Sequence, residues 1–414
     1  MINLKLRYLS ERPGLIAGIL ALSLLAVMIA NSPSKLCYDE PFHLNLAQDV
    51  LERGWSVALT SPNNQSAAGP LYPAVHLFAL QATRIEAPAV RFVNYFFLVA
   101  VIVTLAFSAR DGSSKLAWLT GFSVVSVPFL WPCAGLALTE LPALAAFSLF
   151  VLAMLHILRG EETDSLFRAC GWAAAAGLLL GVSVLGRQTY LAVVPVVGFM
   201  CFLIPRKWPL LLLCLTVAAI SCGWLFMLWG GLVPPAQAHV DGGLSLKHGV
   251  LSLSYVAAAT LFLQPGWIKP SSRGISLGAS GLGIVLALLC GDYTSPPAKS
   301  LLLAVFGERA GLAVGFIVNS LFMTAGILWA WTALRRCWQA RGDPLRVFLF
   351  LTLFVLVAAP MKVSHTFSSR YLVGLLGVLV LVVEIPSITA CRWYAARMSV
   401  GSVLGAATLW TYYR

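Results

Sequence analysis

Asp39 and Glu40 stand side by side in Tyr38-Asp39-Glu40-Pro41-Phe42-His43, just beyond the first apolar run of a chain with only 16 acidic residues in 414. Adjacent carboxylates at a membrane boundary suit general-base work, because one can accept a proton from a hydroxyl while its neighbour orients a substrate or holds a divalent cation. Pro41 suits the first turn of a helix, and the i, i+3 spacing of Glu40 and His43 would then bring both to one helical face. A solvated acidic turn has the same local sequence, so the pair alone leaves both readings open.

Other charged groups interrupt apolar surroundings. Glu140 follows Thr139 inside a hydrophobic run, where a carboxylate costs roughly 2.5–3.5 kcal/mol on insertion scales and so must face a cavity or a partner. Arg187, in Gly186-Arg187-Gln188-Thr189, breaks a long apolar stretch. Its planar fork matches a phosphate, and an ion pair with Glu140 would satisfy it equally. Lys362, His365 and Arg370, with Tyr371 beside them, gather cations in one loop, which points either to an anionic ligand such as a lipid phosphate or to headgroup anchoring. His239, Asp241 and His248 match no specific metal-ligand spacing.

The elements that must position these groups are helices in lipid. At 59% hydrophobic and 11% charged, with a mean hydropathy of +0.86, the chain has too few polar residues to cover a soluble surface. Its apolar runs have helix length and lack the alternation of an outer-membrane barrel, so the expected fold is an all-α polytopic integral membrane protein. Candidate spans lie at 14–30, 90–108, 116–131, 134–158, 171–186, 189–204, 208–232, 248–264, 275–290, 311–334, 346–360, 371–390 and 398–412, giving about 11–13 transmembrane helices. The first is expected to be retained as a span rather than cleaved as a signal. One transmembrane domain is expected over 1–414, with no soluble domain and no fixed-period repeat.

The net charge of +12 is dispersed through short loops and forms no basic stripe, so no nucleic-acid partner is expected. Nine cysteines without CxxC spacing read as small buried hydrophobes. Arg335, Arg336, Arg341 and Arg346 crowd one loop, which places it in the cytoplasm. Counting outward puts 31–89, with Asp39, Glu40 and His43 at its start, on the non-cytoplasmic face together with Arg187 and the loop 361–370. The count requires that 71–83 not cross the membrane. No Gly-rich phosphate loop or Rossmann-like pattern is present, so no soluble nucleotide-sugar site is expected.

Taken in order, several stretches resemble the polyprenyl-phosphate-sugar-dependent glycosyltransferases of the GT-C superfamily. These are Asp39-Glu40 with Phe42-His43 and Ala47-Gln48, then Gly69-Pro70-Leu71-Tyr72, Arg91-Phe92-Val93-Asn94, Thr139-Glu140, Arg187-Gln188-Thr189 and Arg370-Tyr371. The nearest likeness is to the dolichyl-phosphate-glucose α-1,2-glucosyltransferases that add the last glucose to the lipid-linked N-glycan precursor. The acidic pair is common to the whole superfamily, and the two arginine motifs at 91 and 187 point to the glucosyltransferase branch. The branch's Trp-Asp-Pro and Thr-Thr segment is replaced here by Ser56-Val57-Ala58-Leu59-Thr60-Ser61-Pro62, which suggests a bacterial relative with a different acceptor.

The resemblance implies a GT-C-like fold and inverting transfer of a hexose, glucose first, from a polyprenyl-phosphate carrier to a glycan or lipid-linked glycan acceptor. The active site would lie on the periplasmic face of a bacterial inner membrane, or the lumenal face of the endoplasmic reticulum in a eukaryote. Asp39 is the expected base, with Glu40 second or orienting the acceptor. His43, Gln48, Tyr72, Glu140, Arg187, Gln188, Lys362, His365, Arg370 and Tyr371 are the expected substrate-binding residues, and membrane lipid is a further partner. A divalent cation at the first-loop carboxylates remains open. The alternative is a transporter or flippase of glycolipid intermediates, which inverted repeats would support.

Overall fold

The computed structural model describes residues 2–62, 64, 66, 68–109, 114–160, 165–237, 243–270, 272–290, 305–363, 367–383 and 391–414. Within them every regular element is helical, and nine helices are long and apolar enough to cross a membrane. An apolar helix satisfies all its backbone groups internally, which is what a bilayer demands. The span Glu140–Arg159 is the innermost, with 78% of its apolar window buried, whereas Arg273–Cys290 is peripheral at 17%. Glu140–Arg159 packs against Arg91–Ser108 and Leu166–Gly186, and the latter continues onto Trp208–Trp229. Ring contacts fill the core beside it: Phe147 stacks on Tyr190 at 4.4 Å, and Phe150 meets Phe348 edge to face. The first span lies along the last helix, Cys391–Tyr413.

Three of the expected spans are broken. The stretch 116–131 becomes a helix over Ser114–Ser123, a 3-10 turn over Val124–Ser126, and a short helix over Leu130–Gly135. Pro128, which has no N–H to donate, lies in the break. The stretches 189–204 and 371–390 each open as a 3-10 segment, Gln188–Val193 and Ser369–Leu375, before becoming α-helical at Val194 and Leu376. Irregular backbone at membrane depth is tolerated where protein surrounds it; Arg187 immediately precedes the first of these 3-10 segments and Arg370 is the second residue of the other.

Residues 71–83 form two short helices, Leu71–Phe78 and Leu80–Thr83. Eight residues of helix reach about 12 Å, far short of a bilayer core, so this stretch does not span. The first loop otherwise comprises the amphipathic helix Glu40–Arg53 and the helix Trp55–Thr60, separated by Gly54 at φ +80°. Two satellite cores tie it down. Leu46, Val50, Ala58 and Leu59 pack with Leu225 and Trp229, and Leu44, Ala47 and Tyr72 pack with Ile85, Val90 and Ala137.

Candidate active site

The two neighbouring carboxylates occupy different environments. Glu40 is fully buried, and Arg91 grips it with both forks: Nε donates to Oε1 at 2.8 Å and Nη2 to Oε2 at 2.7 Å. The backbone N–H of Cys37 donates to Oε2 at 2.7 Å and that of Ala137 to Oε1 at 2.8 Å. Arg91, also fully buried, donates in addition to Ser32 Oγ and to the carbonyls of Pro33 and Lys35. One helical turn on, Asn94 Nδ2 lies 2.7–3.0 Å from the carbonyls of Cys133, Leu136 and Leu138. The motif Arg91-Phe92-Val93-Asn94 therefore clamps the acidic segment to the 133–138 turn. Glu40's four hydrogen bonds occupy both of its oxygens, an environment that suits neither a proton acceptor nor a group that touches the acceptor, and that instead anchors the segment carrying Asp39.

Asp39 sits at the N-terminal boundary of the helix that Glu40 begins, and its side chain does not cap that helix. Its Oδ2 pairs with Arg370 Nη2 at 2.5 Å, and both side chains keep partial exposure, 22% and 17%. The preceding Tyr38 has φ +55°, in the left-handed region that side chains seldom adopt. The Arg370 guanidinium lies over the Tyr38 ring at 5.2 Å, and Tyr412 of the last helix meets that ring edge-on at 5.1 Å.

Arg370 also reaches the second acidic position. Its Nε is 3.8 Å from Glu140 Oε1, the same oxygen that Arg187 Nη2 contacts. Arg187, Glu140, Arg370 and Asp39 thus form a continuous alternation of charges drawn from four separate elements. Arg370 Nε and Nη1 and Glu140 Oε2 are buried and make no hydrogen bond among the described residues. A buried donor left unpartnered costs free energy, and a cavity of about 30 Å³ lined by Glu140, Arg187, Thr189, Tyr190, Arg370 and Tyr371 lies against these groups.

Behind the acidic segment, His43 Nδ1 shares a 2.9 Å hydrogen bond with Ser66 Oγ. The His43 ring meets Tyr72 edge-on at 5.7 Å, and Tyr72 meets His76 at 4.3 Å. Burial pushes His43 well below the usual imidazole range, aided by the charges of Arg187 and Arg370, and burial alone brings His76 down to about 4. Tyr72 is raised well above the ordinary phenol value by burial and by the Glu40 carboxylate. His43 Nε2, Tyr72 Oη and both His76 nitrogens are buried without a hydrogen-bond partner among the described residues.

Of the residues singled out in the sequence, Asp39, Glu140, Arg187, Arg370 and Tyr371 converge, with His43 and Tyr72 in the layer beside them. Gln188 is half-buried at the start of its 3-10 segment, while Thr189 and Tyr190 next to it line the cavity. Gln48 is exposed on the first-loop helix, and Lys362 is exposed at the end of Ala359–Lys362. Neither is brought into the charge network. His365, like His239 and Asp241, lies outside the described residues. Sequence reasoning passed over Tyr38 and Tyr190. Tyr38 had a signal, its place beside the acidic pair; Tyr190 comes to the cavity only through the 3-10 turn.

Asp39, Glu40 and Glu140 each carry an arginine partner. Among the described residues, no three His, Cys, Asp or Glu side chains gather as a metal site would require.

This all-helical bundle, with its helix-bearing first loop, has a GT-C-like fold. Five solved chains match it. ArnT from Cupriavidus metallidurans in the apo state matches with a TM-score of 0.50 and 16% identity over 94% of this chain and 75% of that one. The same protein bound to undecaprenyl phosphate gives 0.48 and 16% over 96% and 76%. The archaeal oligosaccharyltransferase AglB from Archaeoglobus fulgidus, in complex with an inhibitory peptide and a dolichol-phosphate, gives 0.54 and 15%, and the chain covers 56% of its length with 97% of its own. No family model matches the chain, and no curated protein matches it in sequence.

Proposed function

We propose that the protein is an inverting membrane glycosyltransferase that moves a hexose, glucose first, from a polyprenyl-phosphate carrier to an acceptor glycan hydroxyl. The observation that carries this reading is Arg370, which holds Asp39 with one nitrogen, approaches Glu140 with another, and has two buried donors without hydrogen-bond partners among the described residues. A carboxylate beside a cation with spare donors is what a base and a phosphate site require of each other. The fold shared with AglB, which was solved with a dolichol-phosphate, supports a lipid-phosphate donor.

Asp39 takes the proton of the acceptor hydroxyl as its oxygen attacks the anomeric carbon from the face opposite the phosphate. The bond between that carbon and the phosphate oxygen breaks, its electron pair stays on the phosphate, and configuration inverts. The departing polyprenyl phosphate is a stable anion, so no strong acid is needed at the leaving group. Arg370 and Arg187 stabilise the charge that develops there. As the phosphate engages Arg370, Asp39 is released from its ion pair to meet the acceptor hydroxyl. Glu40 holds the segment that presents Asp39. Tyr371, which lines the cavity, is assigned to the sugar pocket, with His43 and Tyr72 packed behind it.

Asp39, Glu40 and Glu140 are each matched by an arginine, so this donor set does not suit a divalent cation. The arginine-crowded loop at 335–346 supports a non-cytoplasmic site, because Asp39 and Arg187 lie at the opposite ends of the spans.

The test is transfer from short-chain polyprenyl-phosphate glucose to a panel of glycan acceptors by the purified protein in detergent, with and without EDTA. Transfer that is insensitive to EDTA and lost in Asp39→Asn supports the reading. Failure of every polyprenyl-phosphate sugar to bind overturns it, and binding without transfer to any acceptor favours a transporter.

A further inference from the structure

A second cavity lies far from Asp39, Glu40 and Glu140. About 930 Å³ in volume, it has Arg159, Arg335, Arg336 and Arg346 on its walls. Its distance from the candidate active site follows from single helices. Glu140 begins the helix that Arg159 ends, so the two are separated by about 28 Å along its axis. The elements starting at Arg91 and Ser369 likewise run from the active-site end to Ser108 and Val382 on the cavity wall.

Among the described residues, four arginines and one carboxylate line this wall. That carboxylate, Asp343, caps the helix Pro344–Ala358 by accepting from the N–H groups of Leu345 and Arg346, and pairs with Arg346 Nε at 3.3 Å. Arg336 lies over the Trp267 ring at 4.9 Å, and Arg335 Nε is buried without a hydrogen-bond partner among the described residues. Arginines near helix C-termini complement the helix dipole, but that effect does not require them to converge on one concave chamber. The volume is that of a small-molecule site, and the fork of each guanidinium matches two oxygens of a phosphate. Leu155, Phe350 and Leu381 on the same wall offer apolar surface to whatever carries the phosphate.

We propose that this chamber binds a phosphate-bearing anion at the end of the bundle opposite Asp39, Glu40 and Glu140. A phospholipid headgroup and a soluble phosphate share this chemistry. The site stands apart from the transfer reaction, and its test does not depend on activity.

Purified full-length protein is titrated with inorganic pyrophosphate by calorimetry. In parallel it is placed in bilayers of phosphatidylcholine with about one-fifth phosphatidylglycerol, and retained anionic lipid is counted by native mass spectrometry. Arg159→Gln/Arg335→Gln is compared with the charge-matched control Arg273→Gln/Arg341→Gln, whose residues are not on the wall. Losing two charge-assisted donors is expected to weaken binding about tenfold or more, with the control unchanged. Pyrophosphate binding assigns a soluble source, and selective lipid retention alone assigns a headgroup. Equal binding by both double variants, or no binding of either probe to the wild type, overturns the proposal. Should the first double variant fail to fold, Arg335→Lys keeps the charge and loses the fork; unaltered binding by that variant counts against the site.

Discussion

Arg370 Nη2 holds Asp39 Oδ2 at 2.5 Å, and the same guanidinium approaches Glu140 Oε1 at 3.8 Å. One arginine from late in the chain therefore links the acidic residue of the first loop to the acidic residue that opens the innermost span. Neither carboxylate can change its charge or position without Arg370 responding, which couples the base of the proposed reaction to the cation that would meet the leaving group.

Asp39→Asn keeps the shape of the side chain and removes its basicity. Turnover is expected to fall by about 10² to 10⁴, the usual worth of a general base, while binding of a donor analogue persists. Single-turnover transfer together with analogue binding checks both parts. Wild-type turnover in the variant would remove Asp39 from the role.

Glu40→Gln is expected to act on folding first. It leaves Arg91 buried at full charge without its partner, and breaking such a pair costs about 3–5 kcal/mol. Thermal unfolding in detergent should show a large drop, with low yield of folded protein. A variant that unfolds like the wild type yet has lost transfer would instead make Glu40 the base.

Arg370→Ala should weaken donor-analogue affinity by about tenfold to a hundredfold, the range for losing charge-assisted hydrogen bonds. Arg370→Lys should recover only part of this, since a single ammonium cannot reach Asp39 and a phosphate as the fork can. An alanine variant that binds the analogue as tightly as the wild type refutes the phosphate assignment.

Arg187 and Glu140 should behave as a coupled unit. Arg187→Ala strands the Glu140 charge in a buried setting, whereas Arg187→Ala/Glu140→Ala removes both charges together. The double variant is expected to be more stable than Arg187→Ala alone, and a double-mutant cycle of unfolding midpoints measures the coupling. Strictly additive losses would mean that the pair makes no energetic contact.

The buried histidines predict a pH dependence of stability. In the fold His43 and His76 are held neutral, His76 down to about 4, while in the unfolded chain each titrates near its ordinary value of about 6.5. Below that value the unfolded state binds the additional protons, so stability falls as pH drops from about 7.5 to 5, by about 2 kcal/mol for His76. The contribution of His76 stops changing below about 4. Unfolding midpoints at the two pH values should differ less in His43→Gln/His76→Gln than in the wild type, and an equal difference would contradict the neutral-histidine state.

The membrane-helix class was legible from the sequence, because twenty apolar residues in a row have one low-energy fate in lipid, the helix. Glu140 and Arg187 were equally legible as unusual residues, since a charge in an apolar run must find a partner, and Asp39 and Arg370 stood out as a carboxylate at a membrane boundary and a cation in a crowded loop. The sequence did not separate Asp39 from Glu40. They are adjacent in the chain, and their difference arises from Arg91, Cys37 and Ala137 converging on one of them. Nor did hydropathy reveal the 3-10 openings at Gln188–Val193 and Ser369–Leu375, because their Leu and Val residues run directly into the apolar helices that follow. Only tertiary packing decided which arginine met which carboxylate, because a long-range ion pair depends on where helix ends come together, and no local spacing encodes that.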